Sequence, residues 1–158
     1  MKMDQVAYLV HSREEGDKLK AKLGLDKSAW LEDIVTARSW VWSAKGTKER
    51  LINIAQLQFN YSMGIELEIL RYLSGPNWHA AKNPLAKQEF SISHIGIHLD
   101  DMEDFPKAPG LLVQETWTQK HTSEFLTTGP GKGRLYHYRI YELTPGSYIK
   151  YIKRIRPK

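Results

Sequence analysis

Residues Asp4 to Tyr72 read as strand, helix, strand, strand, strand, and after a connector the same order of elements begins again at Ser91. A period of about 80 residues is too long for a solenoid unit, and two copies are too few to stack into one. The chain is therefore expected to fold as paired half-domains. In the first half, Asp4 to Val10 (DQVAYLV) reads as a short strand. Ser12 and Glu15 have the S-x-x-E form of a capping box, which opens a helix running to about Leu23, and Gly24 ends it. Ile34 to Trp42, Leu51 to Tyr61 and Ile65 to Tyr72 follow as strands rich in branched and aromatic residues.

The stretch Ser74 to Glu89 holds Gly75, Pro76 and Pro84, which interrupt any regular element, and reads as the joint between halves. Beyond it, Ser91 to Leu99 is a strand and Asp101 with Asp104 caps a short, Pro-interrupted helical turn. Leu111 to Thr118, Leu135 to Leu143 and Tyr148 to Ile155 complete the second set of strands. The expected organisation is one domain over 1–158, with module one at 1–73, the connector at 74–89 and module two at 90–158.

A chain of 158 residues that is 41% hydrophobic can bury one proper core. The absence of cysteine removes disulfides, thiolate metal sites, CxxC redox chemistry and a cysteine nucleophile together. No segment approaches the about 18 consecutive apolar residues of a membrane-spanning helix. The opening MKMDQVAYLV lacks the apolar core and cleavage site of a secretion signal. These features predict a cytoplasmic protein with no membrane partner. The 23 Lys and Arg exceed the 18 Asp and Glu by a net charge of +5, much of it in Lys150, Lys153, Arg154, Arg156 and Lys158. That end could attract nucleic acid, but the aromatic and helical readers of such partners are not recognisable in the sequence, so a solvated final strand is the preferred reading.

Gln5-Val6-Ala7-Tyr8-Leu9 lines up with His94-Ile95-Gly96-Ile97-His98 as the first strand of each half. Gly64-Ile65-Glu66-Leu67-Glu68 lines up with Gly146-Ser147-Tyr148-Ile149-Lys150 as the entry to each last strand. In this module order, in the SHIGIHLDD opening of the second half and in the Gly-x-x-x-acid pattern ending in Glu68, nearly the whole chain resembles the glyoxalase/bleomycin-resistance/dioxygenase, or vicinal oxygen chelate, superfamily. The resemblance implies an α+β fold of two βαβββ modules forming a cupped, barrel-like mixed sheet with helices outside. It also implies a divalent metal in the cup, held by one residue from each first strand and one from each last strand. Those positions are Gln5, Glu68, His94 and Lys150. Gln5 is similar to a variation in several glyoxalase I and epimerase relatives, whose amide oxygen binds the metal. Lys150 departs from the pattern, since relatives with metal chemistry usually have glutamate there, as a ligand and often as the proton-transferring base. Relatives commonly dimerise, sometimes exchanging modules, so the resemblance implies a homodimer.

Period-two geometry puts Gln5 on one face with Ala7 and Leu9, Glu68 with Glu66 and Leu70, and His94 with Gly96 and His98. An amide oxygen, a carboxylate and an imidazole suit Zn, Ni, Co, Mn or Fe(II) and leave positions for a substrate chelating through two oxygens. Such a metal would stabilise the enediolate formed when a proton leaves carbon beside a carbonyl. An ammonium is repelled by a divalent cation, so Lys150 must turn away, act as a base with a strongly depressed pKa, or replace the metal by pairing with Glu68. In the catalytic reading Lys150 and Glu68 carry the proton chemistry.

His98, two residues beyond His94, is a candidate substrate donor or a hydrogen-bonded wall residue. His121 could line the cup or sit in a polar loop, and Arg38 and Arg139 could clamp an anionic substrate or pair on the surface. The run Gly129-Pro130-Gly131-Lys132-Gly133 lacks Walker spacing and reads as a turn. The tryptophans and tyrosines could stack a flat ligand but are expected mainly in core and interface. Two functions follow. One is a metal-dependent lyase or isomerase acting on a small oxygenated substrate. The other is a metal-free small-molecule-binding protein similar to the bleomycin-resistance branch. A third, a basic module binding nucleic acid through Lys153, Arg154 and Arg156, stands behind them.

Overall fold

The capping box forms, with one shift. The computed structural model describes residues 1–43, 45–75, 89–100, 103–107, 110–119 and 135–155. Helix α1 spans Arg13–Lys22, and Ser12 Oγ accepts the Glu15 N–H at 3.0 Å. The Glu15 carboxylate returns to the His11 N–H at 2.7 Å, and its other oxygen accepts the Phe90 N–H at 3.0 Å. One buried side chain thus fastens the helix start to the chain entering the second half. Gly24, at φ +69°, closes the helix as a Schellman motif, with Leu25 N–H on Lys20 O at 2.8 Å and Gly24 N–H on Ala21 O at 3.0 Å. Glu15→Ala removes the acceptor for two main-chain donors and is expected to cost about 1–3 kcal/mol in urea unfolding. Glu15→Gln, which keeps one acceptor oxygen, should cost less.

The strands fall within a few residues of their predicted bounds: β1 (Lys2–Leu9), β2 (Leu31–Trp42), β3 (Lys48–Asn60), β4 (Glu66–Ser74), β5 (Ser91–His98), β6 (Leu111–Gln119), β7 (Leu135–Thr144) and β8 (Ser147–Ile155). They close into one barrel in the order β1-β4-β3-β2-β6-β7-β8-β5. In the first half β1 runs parallel to β4, and in the second β5 runs parallel to β8. Antiparallel seams between β1 and β5 and between β2 and β6 join the halves. The registers agree with the repeat alignment: Ala7 lies beside Glu68 and the equivalent Gly96 lies beside Lys150.

The expectation of helices outside the sheet is met in part. Among the described residues α1 is the one helix, and the structure is mostly strand. In the second half the Glu103 N–H bonds to Asp100 O at 3.0 Å, and residues 103–106 then run on without a helix. Asp101 lies outside the described residues. The cause is local: Pro106 disfavours helical φ and ψ at Phe105 and offers no N–H of its own. Among the described residues the two halves are covered differently. Leu19 of α1 packs on Val10 and Ile69, with Tyr8, Leu23 and Trp30 around them. In the second half Phe105 packs against the cluster of Ile97, Leu99, Tyr141 and Tyr151. Within the barrel, Leu9, Val35, Ala55 and Leu70 form one apolar cluster, and Phe59 with Leu57 and Tyr136 forms another. Among the described residues no helix is long and apolar enough to cross a membrane.

Candidate functional site

Between those apolar clusters the barrel interior is polar. Gln5, Glu66, Glu68, His94 and Lys150 are all buried there, each at most 8% exposed. Two irregularities aim the side chains. The pairing of β1 with β5 slips between Met3 and Gln5, leaving Asp4 as a bulge, and again between Ala7 and Tyr8, leaving Ser93 as a second bulge on β5. Gly96 supplies the space, because a Cβ there would lie 2.3 Å from Gln5 Oε1 and 2.6 Å from Gln5 Cβ.

Gln5 is the hub. Its amide nitrogen donates to Glu66 Oε1 at 2.5 Å and to Glu68 Oε2 at 2.9 Å, so both of its N–H groups are used. Its oxygen lies 3.1 Å from His94 Nε2, which makes that nitrogen the donor. His94 Nδ1 is then left to accept from Ser93 Oγ at 3.1 Å. Flipping the Gln5 amide would set its oxygen against two carboxylates, so the network itself selects this orientation. Tyr61 donates to Glu66 Oε2 at 2.7 Å. His98 Nδ1 bonds to the bulged Asp4, and its Nε2 lies 3.8 Å from Glu66 Oε1.

Lys150 reaches the same network from β8. Its Nζ lies 3.8 Å from Glu68 Oε2 and 4.4 Å from the centre of the Tyr138 ring. Burial pushes the Glu68 carboxyl above the usual carboxylate range; Lys150 pulls it back down and Glu66 pushes it further up. Burial raises Tyr138 to about 12, against a hydrogen bond from Thr116 that lowers it, and Glu68 adds to the rise. Burial likewise raises Tyr72, helped by Tyr138 and Glu68.

Glu68, Lys150, Tyr138 and Leu57 line the cavities on both of their sides and so divide the interior. One cavity has Gln5, Glu66, His98, Phe59 and Tyr136 in its wall. The other has His94, Asn53, Tyr72 and Gln114. In the second, Gln114 Nε2 donates to Thr116 Oγ1 at 2.8 Å and Ser39 Oγ at 3.2 Å across the β2–β6 seam.

The structure thus brings together five of the residues singled out from sequence: Gln5, Glu68, His94, His98 and Lys150. It does not bring Arg38 and Arg139 to them. Arg38 is exposed on β2, and Arg139 Nε bonds to Glu115 Oε1 at 2.9 Å on the outside of the barrel. His121 and the 129–133 turn lie outside the described residues. Glu66 was visible in the sequence only as a residue sharing the Glu68 face, whereas Asp4 and Ser93 are placed by bulges, which carry no sequence signal.

The donor set bears directly on the implied metal. Gln5 presents its amide nitrogen, not its oxygen, to the carboxylates, and an ammonium already accompanies Glu68. Among the described residues no three His, Asp or Glu side chains gather as a cation cage. As these side chains stand, the Gln5 oxygen faces His94 while its nitrogen faces Glu66 and Glu68. Comparison with protein-family models and with curated proteins finds no match in either. Fold and site together define a mixed eight-stranded barrel with a hydrogen-bonded, charged interior.

Proposed function

We propose that this chain is a glyoxalase-like protein that binds a small molecule inside the barrel without a metal, as in the bleomycin-resistance branch it resembles. One observation carries the reading: the Lys150 ammonium stands 3.8 Å from Glu68, where the resemblance would put a fourth, anionic ligand. There it supplies the positive charge that an ion would otherwise bring to the buried carboxylate. The ligand enters on the side of Gln5, Glu66 and His98, where Phe59, Tyr136 and Ile152 provide apolar wall. Carboxylates and a histidine beside aromatic rings suit a small, partly apolar molecule that carries hydrogen-bond donors.

The test is elemental analysis of metal-replete, gel-filtered protein. The wild type should hold far less than one equivalent of Zn, Ni, Co, Mn or Fe, and Lys150→Glu should gain one. A thermal-shift screen of small molecules should find ligands that stabilise the wild type equally with and without chelator. Near-stoichiometric metal in the wild type, lost in His94→Ala, would overturn the proposal and restore the metal-dependent lyase or isomerase.

A further inference from the structure

The barrel's outer surface along β3, β2, β6 and β7 combines rings and cations that the interior site does not use. Register places Ile52, Arg38, Trp117 and His137 side by side across these strands, with Lys153 of β8 next in the row. The adjacent row is Arg50, Trp40, Glu115 and Arg139. Trp117 is 38% exposed and lies flat against His137, with ring centroids 4.6 Å apart and planes 13° from parallel. Lys48 Nζ sits 4.1 Å from the Trp40 ring centre, and Lys48 also approaches Trp42 at 5.3 Å. Arg139 and Lys153 both lie over Phe105, at 4.7 and 5.2 Å.

Lys48, Arg50, Arg38, Arg139 and Lys153 therefore share one face. Glu115 is the carboxylate among them, and it is taken up by His137 at 2.8 Å and Arg139 at 2.9 Å. Asp104 approaches Lys153 at 3.9 Å from the edge.

We propose that this face binds single-stranded nucleic acid, with bases on Trp117 and Trp40 and phosphates on Arg38, Arg50 and Lys48. Aromatic side chains set among cations are what a single strand needs, since every base has a face to stack and every phosphate a charge to neutralise. A second copy fits poorly, because a two-fold contact would set arginine and lysine against themselves. A duplex fits poorly too, because its bases are already stacked on one another and offer Trp117 and Trp40 no free face. Trp40 and Trp117 are diagonal neighbours on adjacent strands, about 7–8 Å apart, a span an extended strand can bridge.

The experiment is fluorescence anisotropy of a labelled oligothymidine of about 15 nucleotides, a length within common site sizes, with the whole chain. Binding should weaken steeply between about 50 and about 200 mM NaCl. Arg38→Glu with Arg50→Glu should weaken it by about tenfold or more and flatten the salt slope. Trp117→Ala should weaken it by about tenfold while leaving the slope unchanged, the signature of lost stacking. Near-ultraviolet circular dichroism checks that each variant is folded. Absence of binding at the lower salt would overturn the proposal. So would an equal loss on reversing Lys18 and Lys27 instead, which are exposed and lie elsewhere, or tighter binding to phosphatidylserine vesicles than to the oligonucleotide.

Discussion

Lys150→Met should lower the unfolding free energy by about 3–5 kcal/mol near pH ~8, because it leaves the Glu68 carboxylate buried without its cation. Lys150 is 8% and Glu68 2% exposed, so water cannot stand in for the missing charge. The loss should depend on pH in a definite direction. The Glu68 pKa is raised by burial, so the folded protein holds this proton more tightly than the unfolded chain. Its contribution to stability is therefore full below the ordinary carboxylate value and fades as pH rises through the raised one. Removing Lys150 removes the one influence that lowers this pKa, which widens the window upward. Urea unfolding of wild type and variant at several pH values should show the gap narrowing as pH falls and Glu68 takes up its proton. The double variant Lys150→Met with Glu68→Gln should recover much of the loss and lose its pH dependence. A gap that is the same at every pH would mean that Lys150 acts through packing against Tyr138 alone.

The second large effect is expected at Gly96. Gly96→Ala puts a methyl group 2.3 Å from Gln5 Oε1 and 2.6 Å from its Cβ, so the side chain cannot escape by turning its tip alone. Overpacking of this kind costs about 1–3 kcal/mol. Here the displaced amide also abandons Glu66, Glu68 and His94. In a Gln5→Gly background the same methyl group loses its three nearest contacts, Gln5 Oε1, Cβ and Cδ, so Gly96→Ala should cost far less there. A double-mutant cycle should then return a coupling of at least about 1 kcal/mol. Additive losses would place the strain in the β5 backbone instead. Any ligand found in the proposed screen should bind Gly96→Ala more weakly, since Gln5 orients both carboxylates that face the cavity.

The strands were legible because local composition decides them, and the first helix because Ser12, Glu15 and Gly24 mark both its ends. The interior cluster was legible through the repeat, which aligned Gln5 with His94 and Glu68 with Lys150, and through the resemblance that gave those positions a role. What could not be read depends on distant pairing. Nothing near β2 signals that Arg38 lies across from Trp117, so the closing seam is invisible locally. The bulges at Asp4 and Ser93 add a residue without changing composition. Pro106 was noticed as an interruption of a short helical turn, whereas the contact of Phe105 with Ile97, Leu99, Tyr141 and Tyr151 depends on distant strands. Trp40, Trp42 and Trp117 look like core residues in a strand pattern, whereas alternation in the folded sheet turns them outwards.

A ring of strands has no loose end from which to unzip. In a barrel closed by both the β1–β5 and β2–β6 seams, one half can leave the other only if both seams part together. If two copies ever trade halves, the choice is made while the chain is folding. Afterwards, traded and untraded forms would be separated by a barrier close to that of global unfolding and would persist as distinct populations.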